Sequence, residues 1–350
     1  MILNKQRLNK KLFILIIDEG SPGHLSQSLG VVSQINKEGI EVYTKTLKFH
    51  YTLKGFLRPL MRLAMNYLPS FSYEILLKLC GMMDDIDLPF TPDLIISSGG
   101  KSIFASYVLK HRYKCKNIFV GIPHPYSDKW FDLIISPIDK KFDISYIVTG
   151  VVPNEINPDT IREAGEKYWH KELSQKCWSL FIGGDSKSHC YSRDEWKILI
   201  DSIDFLSKKY NIKWLITTSR RTPHYVEDML EVMLSKDNII ELVIYNKNPK
   251  KVLKPFLYAS EHIFVTQDSL TMASEAYNSK RPITLLVPNI LHIKKGSDFE
   301  KIISTFVSLP NVDRIDIRKF KEFSPKKLDS DTYIYPWGEK LKEYLISNVL

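Results

Sequence analysis

The chain is 350 residues long, 44% hydrophobic and 25% charged, and carries 18 Tyr, 17 Phe and 6 Trp. That is the make-up of a soluble globular chain of about two domains, and it excludes disordered, collagen-like and low-complexity classes. Forty-nine Lys and Arg against 40 Asp and Glu give +9, a mild bias suited to nucleotide phosphates or anionic lipid. No nucleic-acid module is recognisable, so no nucleic acid is expected as partner. The apolar run Leu12–Ile17 ends at Asp18 and Glu19, too short for a membrane span or a signal-peptide core. Cys80, Cys115, Cys177 and Cys190 are scattered with no CxxC pair, which reads as free thiols in a cytoplasmic protein.

Short β-type runs alternate with helical patterns along the whole chain. In the first half the expected strands are Leu12–Ile17, Ile40–Leu47, Asp93–Ser97, Asn117–Gly121, Leu133–Ser136 and Tyr146–Thr149. In the second half they are Trp178–Ile182, Lys213–Thr218, Ile239–Tyr245, His262–Thr266 and Pro282–Val287. This alternation predicts βαβ units and parallel sheets. Helix starts are expected at the Ser192/Glu195 capping box, at Thr222-Pro223 and at Asn248-Pro249. A join in Gly150–Pro158, followed by a polar helix over Asp159–Gln175, divides the chain into domains 1–150 and 151–335. A last helical segment, 336–350, is expected to pack back on the first domain. The fold class is therefore α/β, two Rossmann-like domains whose parallel sheets face a central cleft.

Chemistry belongs in the loops that follow strands. Glu19-Gly20-Ser21-Pro22-Gly23-His24 makes a tight turn into a helix, with Gln27 one turn further on. His24 there is either structural or a group suited to accept a proton near neutral pH. The loop is no dinucleotide fingerprint, because G-x-G-x-x-G is absent. Gly99-Gly100-Lys101-Ser102 mimics the end of a P-loop, but Ile95 stands where that motif needs glycine. Phosphate or acceptor contact stays open at that loop, and nucleotide hydrolysis is not expected. Asp85-Ile86-Asp87 and Asp329-Ser330-Asp331 match only the loose D-x-D pattern, and no metal is expected.

Between Thr44 and Cys80, Lys45, Lys48, Lys54, Arg58, Arg62 and Lys78 face a single acid, Glu74, among many aromatic and aliphatic residues. Such a segment suits either an anionic membrane surface or a core helix with a solvated basic face.

In the second half, Gly183-Gly184 permits close backbone approach to a ligand, or is merely a turn. Ser219-Arg220-Arg221-Thr222 puts two guanidinium groups at a helix start, where a diphosphate or neighbouring acids such as Glu227 would compensate them. After the strand ending at Thr266, Asp268 or Ser269 either simply caps a helix or opens a phosphate site at its N-terminus. Glu275 lies six residues beyond Ser269, about 9 Å along a helix. That offset suits a ribose whose diphosphate meets the helix terminus.

Together the stretches G-S-P-G-H-L-S-Q, S-S-G-G-K-S, F-D-L-I-I-S-P-I-D, F-I-G-G-D-S, T-T-S-R-R-T-P and V-T-Q-D-S-L-T-M-A-S-E-A resemble one family. It is the mitochondrial-fission "elongated mitochondria" family, whose bacterial members are regarded as GT-B glycosyltransferases. The G-S-P-G-H loop and the D-S-L-T-M-A-S-E helix are also similar to the peptidoglycan N-acetylglucosaminyltransferase. The chain departs from bacterial relatives at Gly100, where they often carry arginine.

The resemblance implies a nucleotide-diphosphate sugar as donor substrate, no further cofactor, and a lipid-linked or glycan acceptor at the membrane's inner face. His24 would be the catalytic base, with Glu19 in reserve. Gly183, Gly184, Ser219, Arg220, Arg221 and Thr222 would bind the donor with Thr266, Asp268, Ser269, Met272 and Glu275. Gly23, Gln27, Gly99, Gly100, Lys101, Ser102 and His124 would lie on the acceptor side. The basic segment 44–80 would touch the membrane. The alternatives are a non-catalytic membrane adaptor and a nucleotide-sugar epimerase. The epimerase is disfavoured by the absence of both the glycine fingerprint and a Y-x-x-x-K pair.

Overall fold

The computed structural model describes residues 11–48, 59, 63, 88–169, 175–326 and 337–350. Nearly all of the basic segment expected to touch a membrane, and both D-x-D matches, lie outside these residues. The chain divides into two compact units, 1–155 with 335–350, and 156–334.

The first unit is built on six parallel strands, β1 (Leu12–Asp18), β2 (Val42–Lys48), β3 (Leu94–Ser98), β4 (Lys116–Val120), β5 (Leu133–Ser136) and β6 (Tyr146–Val148). Their order in the sheet is β2-β1-β3-β4-β5-β6. Strand alternation explains why both faces are covered. Leu12, Ile14 and Ile16 join Val31 and Ile35 of helix α1 (Pro22–Lys37), whereas Leu15 and Ile17 join Ile103, Phe104 and Val108 of α2 (Ser102–Tyr113). The second expected strand begins at Val42, two residues later than its apolar pattern suggested. Leu341 and Leu345 of the last helix, Trp337–Asn348, are fully buried in the α1 side of this core.

The second unit opens with α3 (Pro158–Tyr168). Its cap residue Asn157 accepts from the N–H groups of Asp159 and Thr160, and proline occupies the first turn. This helix ends at Tyr168, well short of the expected Gln175. The sheet contains β7 (Cys177–Phe181), β9 (Lys213–Thr217), β10 (Ile239–Val243), β11 (Ser260–Thr266), β12 (Ile283–Val287) and β14 (Val312–Asp316). All are parallel, in the order β10-β9-β7-β11-β12-β14, the arrangement of the doubly wound dinucleotide-binding folds. A separate antiparallel ribbon pairs β8 (His189–Cys190) with β13 (Ile290–Leu291). Neither β14 nor the ribbon was evident in the sequence. On one face of the sheet, Leu180, Ile216, Phe264 and Leu286 pack on Trp196, Leu199 and Ile203 of α4 (Arg193–Tyr210).

The Ser192/Glu195 capping box forms as expected. The other two helix-start expectations are corrected. The next helix, α5 (His224–Met233), is preceded by Pro223 as its cap, because Thr222 spends its hydroxyl on backbone carbonyls of the β7 loop. Asn248 closes a turn on Ile244, and α6 (Leu253–Ala259) starts only after Val252.

Because Leu341 is fully enclosed, Leu341→Ala should lower the stability of the first unit by about 2–5 kcal/mol. Denaturant unfolding measures this; an unchanged midpoint would mean that the last helix adds nothing to that unit.

Candidate functional site

In each sheet the strands run outward from one central pair. Ligand sites in such folds lie beyond the carboxyl ends of the strands at that switch point. In the first unit the pair is β1 and β3; in the second it is β7 and β11. The predicted site residues fall mostly on the four loops that leave these strands.

In the first unit, Glu19 opens the loop after β1 with its side chain almost fully buried, and His24 stands in the first turn of α1. His24 Nδ1 lies 2.6 Å from Glu19 Oε1. An ionised carboxylate only accepts, so Nδ1 carries the proton and Nε2 is left as the ring's acceptor. The other oxygen, Glu19 Oε2, accepts from the backbone N–H groups of Lys101 (2.8 Å) and Ser102 (3.0 Å) at the start of α2. Burial pushes the Glu19 carboxyl up, but the His24 hydrogen bond and charge, with those two N–H groups, outweigh it. The carboxyl is thereby held below the usual glutamate range. Gly99 makes the room: its φ is +90°, and a Cβ there would fall on His24 Nδ1 and Glu19 Oε1.

Both oxygens of Glu19, the reserve candidate for the base, are thus engaged, one by His24 and one by the start of α2. The N-terminal N–H groups of the loop that mimics a P-loop are taken up by Glu19. Gln27 Oε1 accepts from Ser98 Oγ at 2.7 Å, which ties α1 to the end of β3. Gly23 lies in the first turn of α1, Gly100 is exposed, and Ser102 is buried with its hydroxyl on the Ser98 and Gly99 carbonyls. His124 is exposed on the loop after β4, and no hydrogen bond among the described residues joins it to Glu19 or His24.

In the second unit the Asp268 side chain is fully buried, and Arg221 Nη2 lies 2.7 Å from its Oδ2. Tyr191 reaches its Oδ1 at 3.4 Å and the Leu286 carbonyl at 3.2 Å. Burial raises the Asp268 carboxyl above its usual range; the Arg221 charge, Thr266 and the Gly184 N–H oppose the rise without cancelling it. A Cβ at Gly183 would collide with this carboxylate, and one at Gly184 with the Arg221 carbonyl. Gly183 donates its N–H to Thr266 Oγ1 at 2.7 Å, while its carbonyl accepts from Ser219 Oγ and Thr222 Oγ1, each at 2.6 Å. The Gly-Gly loop, the Ser219–Thr222 loop and the end of β11 are therefore one hydrogen-bonded piece. Glu227, one of the acids that could offset the arginines in place of a diphosphate, turns inward to Thr218 Oγ1 (2.8 Å) and Asn246 Nδ2 (3.1 Å).

Arg220 is exposed and makes no ion pair among the described residues. The helix after β11, α7 (Leu270–Asn278), starts at Ser269 with no side-chain cap and no acid in its first turn. Its first N–H groups and dipole face whatever lies beyond the strand ends. Met272 and Glu275, one turn apart on α7, are both half-buried. Sequence reasoning missed Tyr191 and also His189. The His189 ring is buried beside Gln267 (3.3 Å), and burial with the charges of Arg221 and Arg314 pushes its pKa down to about 4.

A family model described as mitochondrial fission ELM1 matches residues 22–327. The chain belongs to that family. An uncharacterized protein of Rickettsia prowazekii (strain Madrid E) is 24% identical over 355 residues, 90% of this chain and 94% of that one. Among solved structures, a UDP-GlcNAc 2-epimerase from Methanocaldococcus jannaschii superposes with a TM-score of 0.57 at 12% identity, covering 97% of this chain and 100% of that one. A Listeria monocytogenes protein assigned the same activity gives a TM-score of 0.53 at 12% identity, with 89% and 87% covered. This ELM1-family chain has the GT-B fold, two parallel six-stranded α/β sheets. Among the described residues no group of three His, Cys, Asp or Glu side chains could hold a metal ion. No described helix is long and apolar enough to cross a membrane.

The sign of the Glu19 shift gives a pH test. A carboxyl held low in the folded state stabilises fully above the unfolded value of about 4.3 and ceases to do so as pH falls through its lower folded value. Glu19→Gln should lower Tm at pH 7 and shrink the loss of Tm below about pH 4.3. Parallel Tm–pH curves for the two proteins would remove Glu19 from that linkage.

Proposed function

We propose that the protein is a glycosyltransferase moving a sugar from a nucleoside-diphosphate donor to a hydroxyl of a membrane-associated or cell-envelope glycan or lipid. The Glu19–His24 dyad carries this reading: a buried carboxylate fixes the imidazole tautomer and leaves Nε2 to take a proton. The acceptor hydroxyl gives its proton to His24 Nε2 as its oxygen bonds to the anomeric carbon. The bond from that carbon to the diphosphate breaks, and the nucleoside diphosphate leaves with the charge. Glu19 stabilises the imidazolium that results.

The second unit meets the leaving group. Arg220 and the uncapped N-terminus of α7 supply positive charge and N–H donors where negative charge develops. Glu275 accepts from the ribose hydroxyls, with Met272 on the same side of α7. Arg221 and Asp268 act one layer below, holding the Gly183-Gly184 backbone in place. No metal is required by this scheme.

Two pairs of variants test the assignment. At a nucleoside diphosphate concentration 100 times Kd, the Tm of wild type should rise by about 5–10 °C, and Glu275→Ala should abolish most of that rise. His24→Ala should keep the rise and lose about 10²–10⁴ in kcat; an unchanged rate removes His24 as the base. A panel that stabilises nothing favours the adaptor. Conversion of the donor sugar without any acceptor favours the epimerase, the activity attributed to both fold relatives.

The arginines separate as well. Arg220→Ala should weaken diphosphate binding about tenfold or more at unchanged Tm. Arg221→Ala should lower Tm even without ligand, because it takes the guanidinium partner from a buried carboxylate. Equal effects of the two on Tm would contradict this division.

A further inference from the structure

Glu227 lies in the first turn of α5, with its side chain fully buried beyond the ends of β9 and β10. Its two oxygens are used unequally. Oε1 accepts from Thr218 Oγ1 at 2.8 Å, from Asn246 Nδ2 at 3.1 Å and from the Asn246 N–H at 3.4 Å. Oε2 is equally enclosed and receives no hydrogen bond. Beside it stands the His224 ring, with Nδ1 3.4 Å away and a side chain that is 81% exposed. A buried carboxylate oxygen without a donor is costly, and a ligand that brings N–H groups to it offsets that cost.

The polar groups around Glu227 narrow the ligand. The Tyr245 N–H donates to Thr218 Oγ1 at 2.8 Å, and the Asn246 N–H to Glu227 itself. Both hydrogens of the Asn246 amide are also spent, one on Glu227 and one on the Thr222 carbonyl at 3.2 Å. What this corner offers a ligand is therefore an acceptor, not a donor. Tyr245, 36% exposed, adds an aromatic ring in the residue before Asn246. Through Asn246 the corner is joined to Thr222, and so to the Ser219–Thr222 loop that carries Arg220.

We infer that Glu227 Oε2, once the exposed His224 ring swings aside, accepts from the N1–H and the amino group of a guanine base, so that the donor is a guanosine-diphosphate sugar. This rests on the donor role proposed for the second unit. Guanine sets two N–H donors side by side on one edge, which a single carboxylate oxygen can accept together. Uracil flanks its one N–H with two carbonyls, and these repel a carboxylate. Adenine and cytosine place a ring acceptor beside their amino group, with the same penalty. The base stacks on Tyr245 while Arg220 meets the diphosphate.

Calorimetry and thermal shift of the full chain with GDP, UDP, ADP and CDP test this. GDP should bind wild type about 10–100-fold tighter than UDP. Glu227→Gln keeps the size of the side chain and inverts its outward chemistry. Thr218 and Asn246 donate to the inner position, so the amide oxygen replaces Oε1 and the NH2 group replaces Oε2. The variant should lose GDP affinity about tenfold or more, gain affinity for UDP, and bind inorganic diphosphate as wild type does. His224→Ala should keep the preference for GDP; its loss there would assign the base to the imidazole and overturn the role of Glu227. Wild type that binds all four nucleotides alike, or prefers another to GDP, overturns the inference and leaves the donor site standing. So does a Glu227→Gln variant that lowers the Tm of the free protein but keeps the wild-type order of bases. Wild type that binds neither the nucleotides nor inorganic diphosphate removes the donor reading, and this inference with it.

Discussion

Both units depend on a buried carboxylate at the switch point of a parallel sheet. In the first, Glu19 leaves β1 and is held by His24 and by two N–H groups at the start of α2. In the second, Asp268 leaves β11 and is held by Arg221, Tyr191 and the Gly184 backbone. In each case the loop from the other central strand supplies a glycine, Gly99 or Gly183, because any side chain there would occupy the carboxylate's place. A buried charge left unpaired is costly, so neither carboxylate can drift without losing its partners. The loops at the sheet edge are therefore locked to one another, and what remains exposed on them is held in a fixed position.

The two sites use this device in opposite electrostatic senses. Glu19 ends with its carboxyl below the usual range, since two backbone N–H groups and the imidazole together outweigh the cost of burial. Asp268 ends above it, since one guanidinium that is itself partly in water and weaker polar contacts do not. The first arrangement keeps a full negative charge beneath His24, which would stabilise the imidazolium formed in the proposed reaction. The second spends Arg221 on an internal carboxylate, so the positive charge presented outward comes from Arg220 and the start of α7.

Much of the architecture was readable because burial on both faces writes parallel strands as apolar runs, as at Leu12–Asp18 and Leu94–Ser98. Strand β14 was missed for the converse reason: an edge strand reading V-D-R-I-D has no such run. Strand order was not readable at all, since it is decided by tertiary packing, and with it went the pairing of Glu19 with the Gly99 loop and of Asp268 with the Gly183 loop. The S-x-x-E box at Ser192 succeeded because its bonds are local. Thr222 failed as a cap because its hydroxyl is spent on neighbouring loops, donating to the Ile182 and Gly183 carbonyls and accepting from the Ser219 N–H. Tyr191 could have been found. It precedes the Ser192 cap, and Trp196 stands four residues after that cap, a hydrophobic staple in which the rings lie 4.7 Å apart.

The staple also explains how a residue outside every motif reaches the centre of the second site. Packing of Tyr191 on Trp196 fixes the entry of α4, and the phenol oxygen is thereby carried to Asp268 and the Leu286 carbonyl. The short ribbon that precedes it is drawn over the ends of β7 and β12, and His189 is enclosed on Gln267 as a neutral ring. Order at the ends of β7 and β11 thus depends on one short piece of chain, in which His189, Tyr191 and the Ser192 cap follow one another closely.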